Sequence, residues 1–127
     1  MTFVTKQIHE EVLRDPRYPV SRIADKLLPY LEILVDQFHP EKVILFGSYA
    51  YGHPDRHSDV DLLVIKEIER TSVSESRNIL KAWRPLRWSG DSLPFELLVV
   101  SPTEHQERLL QGGGFYNTIV RKGLILS

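Results

Sequence analysis

The sequence predicts a small α/β (α+β) domain, a mixed β-sheet flanked by helices, and three observations predict it. Val43–Phe46, Val60–Ile65 and Phe95–Val100 are short unbroken apolar runs, the pattern of strands buried on both faces. Stretches with helical apolar spacing lie before, between and after them. The 127 residues, 42% of them hydrophobic, suffice for one domain with one core.

The elements follow in order. Lys6 to Arg14 predicts a short helix, ended at Asp15-Pro16 because the residue before proline is pushed out of the helical region. Ser21 reads as the N-cap of a longer helix, in which Ile23, Leu27, Leu28, Leu31, Leu34 and Val35 form one apolar stripe. Pro29 inside that stripe predicts a kink or two abutting helices. His39-Pro40-Glu41 breaks the chain before the first strand. Gly47-Ser48 ends that strand, Tyr49 to Tyr51 predicts one helical turn, and Gly52 to Ser58 is polar loop. After the second strand, Thr71 or Ser72 caps a helix reaching about Leu86, with Ile79, Leu80 and Trp83 inward and Arg84-Pro85 weakening its end. Residues 87–94 are loop, and the third strand follows. Ser101-Pro102-Thr103-Glu104 is a strong helix start: a capping serine, proline at the first position and glutamate three residues after the cap. That helix runs to about Gln111. Gly112-Gly113-Gly114 reads as a hinge and, lacking a following Lys-Ser/Thr pair, is no P-loop. A last helix spans Phe115 to Arg121, Gly123 stops it, and Leu124 to Leu126 is an edge strand.

Composition narrows the function classes. The chain has no cysteine, which removes disulfides, thiolate zinc sites and cysteine nucleophiles and fits a reducing compartment. The net charge of −1 provides no global positive field, so direct nucleic-acid binding is not expected. No apolar run approaches the ~18 residues a membrane helix needs. Met1 to Lys6 lacks the basic-then-apolar layout of a signal peptide, and the expected location is cytoplasmic.

The chemistry concentrates between Phe46 and Leu62. Residues two apart on a strand point to the same face, so Asp59 and Asp61 are parallel neighbours while Val60 points into the core. Two carboxylates this close repel each other unless a cation lies between them. A hard ion such as Mg²⁺ suits an all-oxygen pair and recruits phosphate oxygens as further ligands. Gly47-Ser48 follows a buried strand; glycine lets the backbone approach a ligand, and the serine hydroxyl and leading amides of a turn suit phosphate oxygens. A phosphate cradle on one strand end and a carboxylate pair on the next make a site for an NTP with Mg²⁺. Arg56, in the intervening loop, is a further candidate for a triphosphate contact. His53 and His57 read as loop histidines. Trp83 reads as core, and Arg84, Arg87 and Trp88 as surface, with base stacking as the alternative.

Gly47-Ser48, ten residues, then Asp59-Val60-Asp61 resembles the signature of the DNA-polymerase-β-like nucleotidyltransferase superfamily, and the short length is similar to its minimal nucleotidyltransferase (MNT) branch. The resemblance covers about residues 40 to 127, and no motif covers the first ~35 residues. It implies a catalytic core over 40–127 and an N-terminal helical segment over 1–38 within one domain, 1–127. It implies a third carboxylate on an adjacent strand, at the position held here by Glu96, where the family usually has aspartate. It further implies in-line attack of an acceptor hydroxyl on an NTP α-phosphate, with two Mg²⁺ ions held by Asp59, Asp61 and Glu96, and Gly47 and Ser48 on the β- and γ-phosphates. ATP is the expected substrate.

A chain this small has room only for the catalytic module, so an acceptor must be small, dock from outside, or come with a second chain. The MNT branch is commonly paired with a HEPN-family protein as antitoxin to its RNase toxin, and some members transfer AMP to a tyrosine of that partner. The resemblance therefore implies a HEPN partner and leaves a homo-oligomer open. Two other readings stand beside it. A binding module with an unused site would neutralise a HEPN toxin by contact, a reading that Glu96 in place of aspartate keeps alive. A Mg²⁺-dependent phosphatase or nuclease would use the Asp pair but leaves Gly47-Ser48 without a role.

Overall fold

The three apolar runs become strands because each has a hydrophobic layer on both sides. In the computed structural model, which describes residues 7–90 and 92–127, they are β1 (Lys42–Phe46), β2 (Val60–Ile65) and β3 (Phe95–Val100), with a short β4 (Leu124–Ile125). The sheet order is β3-β2-β1-β4. Strand β1 is antiparallel to β2 and β4, whereas β2 and β3 are parallel. The sheet is therefore mixed, and β4 lies at one edge as predicted. A parallel pair needs a crossover rather than a hairpin; α4 (Ser72–Ala82) and α5 (Arg84–Arg87) supply it.

Alternation along the strands sorts the core into two layers. Val43, Leu45, Val60, Leu62, Val64 and Val99 face α1 (Glu10–Leu13), a 3-10 helix (Pro19–Ile23), α2 (Ala24–Phe38) and α4. Ile44, Phe46, Leu63, Ile65 and Val100 face the other way, onto Tyr116 and Ile119 of α7 (Gly114–Lys122) and Leu109 of α6 (Pro102–Gln111). Trp83 ties the first layer together. Its ring lies between Tyr30 and Phe95, at centroid distances of 5.3 and 4.4 Å, and its Nε1 donates to the Tyr30 carbonyl at 2.9 Å.

Local signals set several boundaries. Thr71 caps α4 by accepting from the Ser74 amide, and Ser101 caps α6 by accepting from the Glu104 amide. Gly123 ends α7 where a Cβ would collide with the carbonyl of Ile119 and the side chain of Ile44.

Five expectations are corrected. Ser21 caps nothing: it lies inside the 3-10 helix, and α2 starts behind Ile23 without a side-chain cap. Pro19 presets the first turn and the buried Val20 anchors it, so the chain coils before Ser21 is reached. Pro29 does not divide the helix in two; α2 runs through it, held by the burial of Leu27, Tyr30, Leu31 and Leu34. The helix after Thr71 does not run unbroken to Leu86 but is interrupted at Trp83, because Pro85 has no N–H to continue the ladder. Leu80 does not point inward: it is 38% exposed, since Ile79 and Trp83, one turn apart, take the buried face. The first helix is also shorter than predicted, only Glu10–Leu13, and Lys6 lies outside the described residues. No helix among the described residues is long and apolar enough to cross a membrane.

Candidate active site

The site forms where β1 ends and β2 and β3 begin. Val60 is fully buried under the α2 layer, so alternation turns Asp61 to the opposite face, the one that α7 covers only in part. In the parallel register Asp61 is the partner of Glu96, which places the two carboxylates side by side. Asp59 precedes β2 and returns to the same face two residues before Asp61. Carboxylate oxygens of Asp59, Asp61 and Glu96 all lie within 4.8 Å of one another. Asp59 and Glu96 are exposed, and Asp61 is half-buried behind them. The extra methylene of Glu96 thus still brings its carboxylate into the group.

The electrostatics of this cluster are strained. Partial burial, the hydrogen bond to Glu96 and the negative charges of Glu96 and Asp59 push the Asp61 carboxyl up to about 7. Without a cation, Asp61 therefore shares a proton with its surroundings near neutral pH. Three converging oxygen donors that cannot comfortably all be anionic fit a hard divalent ion, which replaces the proton and relieves the repulsion.

Gly47 forms the wall of the cluster on the β1 side. Its φ of +76° belongs to the left-handed half of the map, and a Cβ there would overlap Asp61 Oδ2. Two independent constraints thus select glycine. The chain turns from Gly47 directly into α3 (Ser48–Tyr51), whose first residue is half-buried Ser48. Gly52 lets the loop fold back tightly, since a Cβ there would lie 2.8 Å from the Ser48 Cα. The Gly-Ser turn therefore lies directly against Asp61 of the acidic cluster.

The loop between them organises itself. The Asp55 carboxylate accepts from the His57 amide at 2.8 Å, and the Asp55 amide donates to Ser58 Oγ at 2.8 Å. This closed turn delivers the chain to Asp59. Sequence reasoning passed over Asp55, although an aspartate three residues before a serine in a polar loop is an Asx-turn signal. Arg56 is exposed on the same loop, and its Nε meets His57 Nε2 at 3.4 Å rather than the carboxylates. Neither His53 nor His57 joins the acidic cluster. His53 instead lines a cleft with Arg17, Tyr18 and Arg22, residues for which the sequence offers no functional signal.

The family described as "Nucleotidyltransferase domain" matches residues 29–116. Two proteins of Methanocaldococcus jannaschii are similar to this chain. One, named "Putative protein adenylyltransferase MJ0141", is 39% identical over 59 residues, 46% of this chain and 54% of that protein. The other, named "Putative protein adenylyltransferase MJ1379", is 38% identical over 45 residues, 35% of this chain and 45% of that protein. The matched segments span about half the length of these curated relatives.

Proposed function

Because this chain belongs to the nucleotidyltransferase domain family, we propose that it transfers AMP from ATP to a hydroxyl of a protein acceptor. The observation that carries the reading is the convergence of Asp59, Asp61 and Glu96 within 4.8 Å beside the Gly47-Ser48 turn. In the reaction the acceptor oxygen bonds to the α-phosphorus, the bond from that phosphorus to the β-bridging oxygen breaks, and pyrophosphate leaves. Asp59, Asp61 and Glu96 would hold Mg²⁺, which would supply charge neutralisation at the phosphates and a more acidic acceptor hydroxyl. In this reading Glu96, the exposed outer member of the parallel pair, accepts the acceptor's proton. The bare Gly47 backbone admits the β- and γ-phosphates, Ser48 donates its hydroxyl to them, and Arg56 closes over the triphosphate from the loop. Residues 40–127 carry this machinery, and the described part of residues 1–38 packs on the opposite face of the sheet.

A protein acceptor is favoured because both similar proteins are named protein adenylyltransferases. A tyrosine of a HEPN-type partner, in a cytoplasmic toxin–antitoxin pair, is the acceptor this reading assigns. The reach of Glu96 into the cluster speaks against a merely contact-making module with an abandoned site.

The test combines the purified protein, each NTP, Mg²⁺ and the product of the neighbouring gene, followed by intact-mass measurement. The expected result is one nucleoside monophosphate added to the partner with ATP, and none with the Asp59→Asn variant. Tight complex formation without any adduct would sink the transferase reading in favour of a binding module. Release of inorganic phosphate alone would replace it with a hydrolase.

A further inference from the structure

A second feature lies on the other side of the β3 entry loop. Arg77, Lys81, Arg84 and Trp88 follow one another at spacings of four, three and four residues, so they form a single stripe along α4 and α5. The stripe extends over roughly 16 Å at 1.5 Å per residue. With Leu80 and Arg87 it lines an open groove of about 510 Å³. No carboxylate lines that groove among the described residues. Among the described residues none of the four cations enters an ion pair, although other arginines and lysines pair with Glu10, Asp25, Asp15, Glu75 and Glu104. A chain of net charge −1 thus gathers four cations in one place, with no carboxylate beside them among the described residues. Trp88 is 78% exposed, and the Arg84 guanidinium lies over its ring, 5.8 Å from the centroid. Leaving Trp88 and the 38%-exposed Leu80 in water is unfavourable unless something covers them.

We propose that this groove docks an acidic segment of the protein that accepts the nucleotide, an inference that rests on the protein-acceptor reading above. Position supports the assignment. Ser92, on the groove wall, stands four residues before Glu96, so their Cα atoms are at most roughly 14 Å apart. The Pro94 carbonyl accepts from the Val60 amide at 2.8 Å, which ties the same loop to the start of β2 beside Asp59. One short stretch of chain thus joins the groove wall to the carboxylate cluster. Charge complementarity selects an acidic partner, and the mixture of four cations with an indole and a leucine suits a short segment carrying carboxylates and one apolar anchor. A nucleic acid is the weaker match, because the positive charge is confined to one short stripe.

Fluorescence anisotropy of three labelled probes tests the proposal at physiological ionic strength: a glutamate–tyrosine copolymer, a lysine–tyrosine copolymer and an oligothymidylate. The acidic copolymer is expected to bind and to quench Trp88 fluorescence, and the basic one to do neither. Arg77→Glu combined with Arg84→Glu is expected to weaken acidic binding about tenfold or more, and Trp88→Ala to weaken it less. Both variants change exposed residues and should keep the thermal midpoint and the affinity for ATP with Mg²⁺. Unchanged copolymer affinity in the double variant overturns the proposal, and so does tighter binding of the oligothymidylate. Nucleotide transfer to the copolymer tyrosines is read separately by mass. Transfer that persists undiminished in the double variant removes the docking role alone. Groove binding without transfer to any tyrosine-bearing probe or partner removes the acceptor reading alone.

Discussion

Asp61 is the residue on which the site's pH behaviour turns. Its carboxyl is raised from the ordinary 3.8 to about 7, so the folded state holds this proton more tightly than the unfolded chain does. The contribution is therefore fully favourable below about pH 4 and is lost as pH rises toward 7. Asp61→Asn removes the penalty, so its thermal midpoint should gain on that of the parent protein from pH 4 to 7; an advantage that shrinks over this range would contradict the assignment. Mg²⁺ bound at the cluster, as proposed, would displace this proton, so titration at pH 6.5 should release protons, visible as a binding enthalpy that depends on the buffer's ionisation heat. Activity runs opposite to stability here: Asp59→Asn and Asp61→Asn should each lower turnover by about 10²-fold or more, because each removes a carboxylate at the charge-neutralising centre. Gly47→Ala should abolish turnover and cost about 1–3 kcal/mol, since it combines a left-handed φ with overlap at Asp61. Wild-type kinetics in that variant would dissociate the Gly-Ser turn from the reaction.

At the scale of elements, α4 is positioned by one side chain. Trp83 is fully buried between Tyr30 of α2 and Phe95 of β3, and it satisfies a backbone carbonyl of α2 as well. Trp83→Ala should destabilise the fold by about 3–5 kcal/mol in chemical denaturation. Trp83→Phe keeps most of the apolar area but leaves the Tyr30 carbonyl without its donor, and should cost about 1–3 kcal/mol. Phe95 is the neighbour of Glu96, so loosening Trp83 should also raise the apparent KM for the nucleotide. A Trp83→Phe protein as stable as its parent would show that the hydrogen bond contributes nothing net. The register of β2 and β3 matters for the same reason, because a slip of one residue would turn Glu96 to the α2 layer and empty the site of its third carboxylate.

For the molecule as a whole, binding and folding are linked. A ligand that engages only the native carboxylate cluster raises stability by about 2.7 kcal/mol at a hundred times its Kd. ATP with Mg²⁺ should accordingly raise the melting temperature of the parent protein but not that of an Asp59→Asn, Asp61→Asn double variant. An equal rise in both would place nucleotide binding somewhere other than this cluster. The two layers share the labour: the α1, α2 and α4 side holds most of the core, while the thinner α6–α7 side leaves the carboxylate end of the sheet open to solvent.

Much of this was legible from local pattern. Strands β1, β2 and β3 announced themselves as apolar runs, the Thr71 and Ser101 caps as short polar signals, and Asp59 with Asp61 as a period-two pair, because periodicity and capping act within a few residues. What the chain order could not express was set by contacts distant in sequence. The pairing of Glu96 with Asp61 depends on a parallel register across 34 intervening residues, and the shift of the Asp61 carboxyl depends on the burial and neighbours that this register creates. Ser21, Pro29 and Leu80 departed from their local signals for the same reason: burial of Val20, Leu27 and Trp83 outweighed a cap, a breaker and an apolar side chain. The groove over α4 and α5 belongs to this second class as well. Its charges can be spaced from sequence alone, but only tertiary packing decides that this helical face is left uncovered.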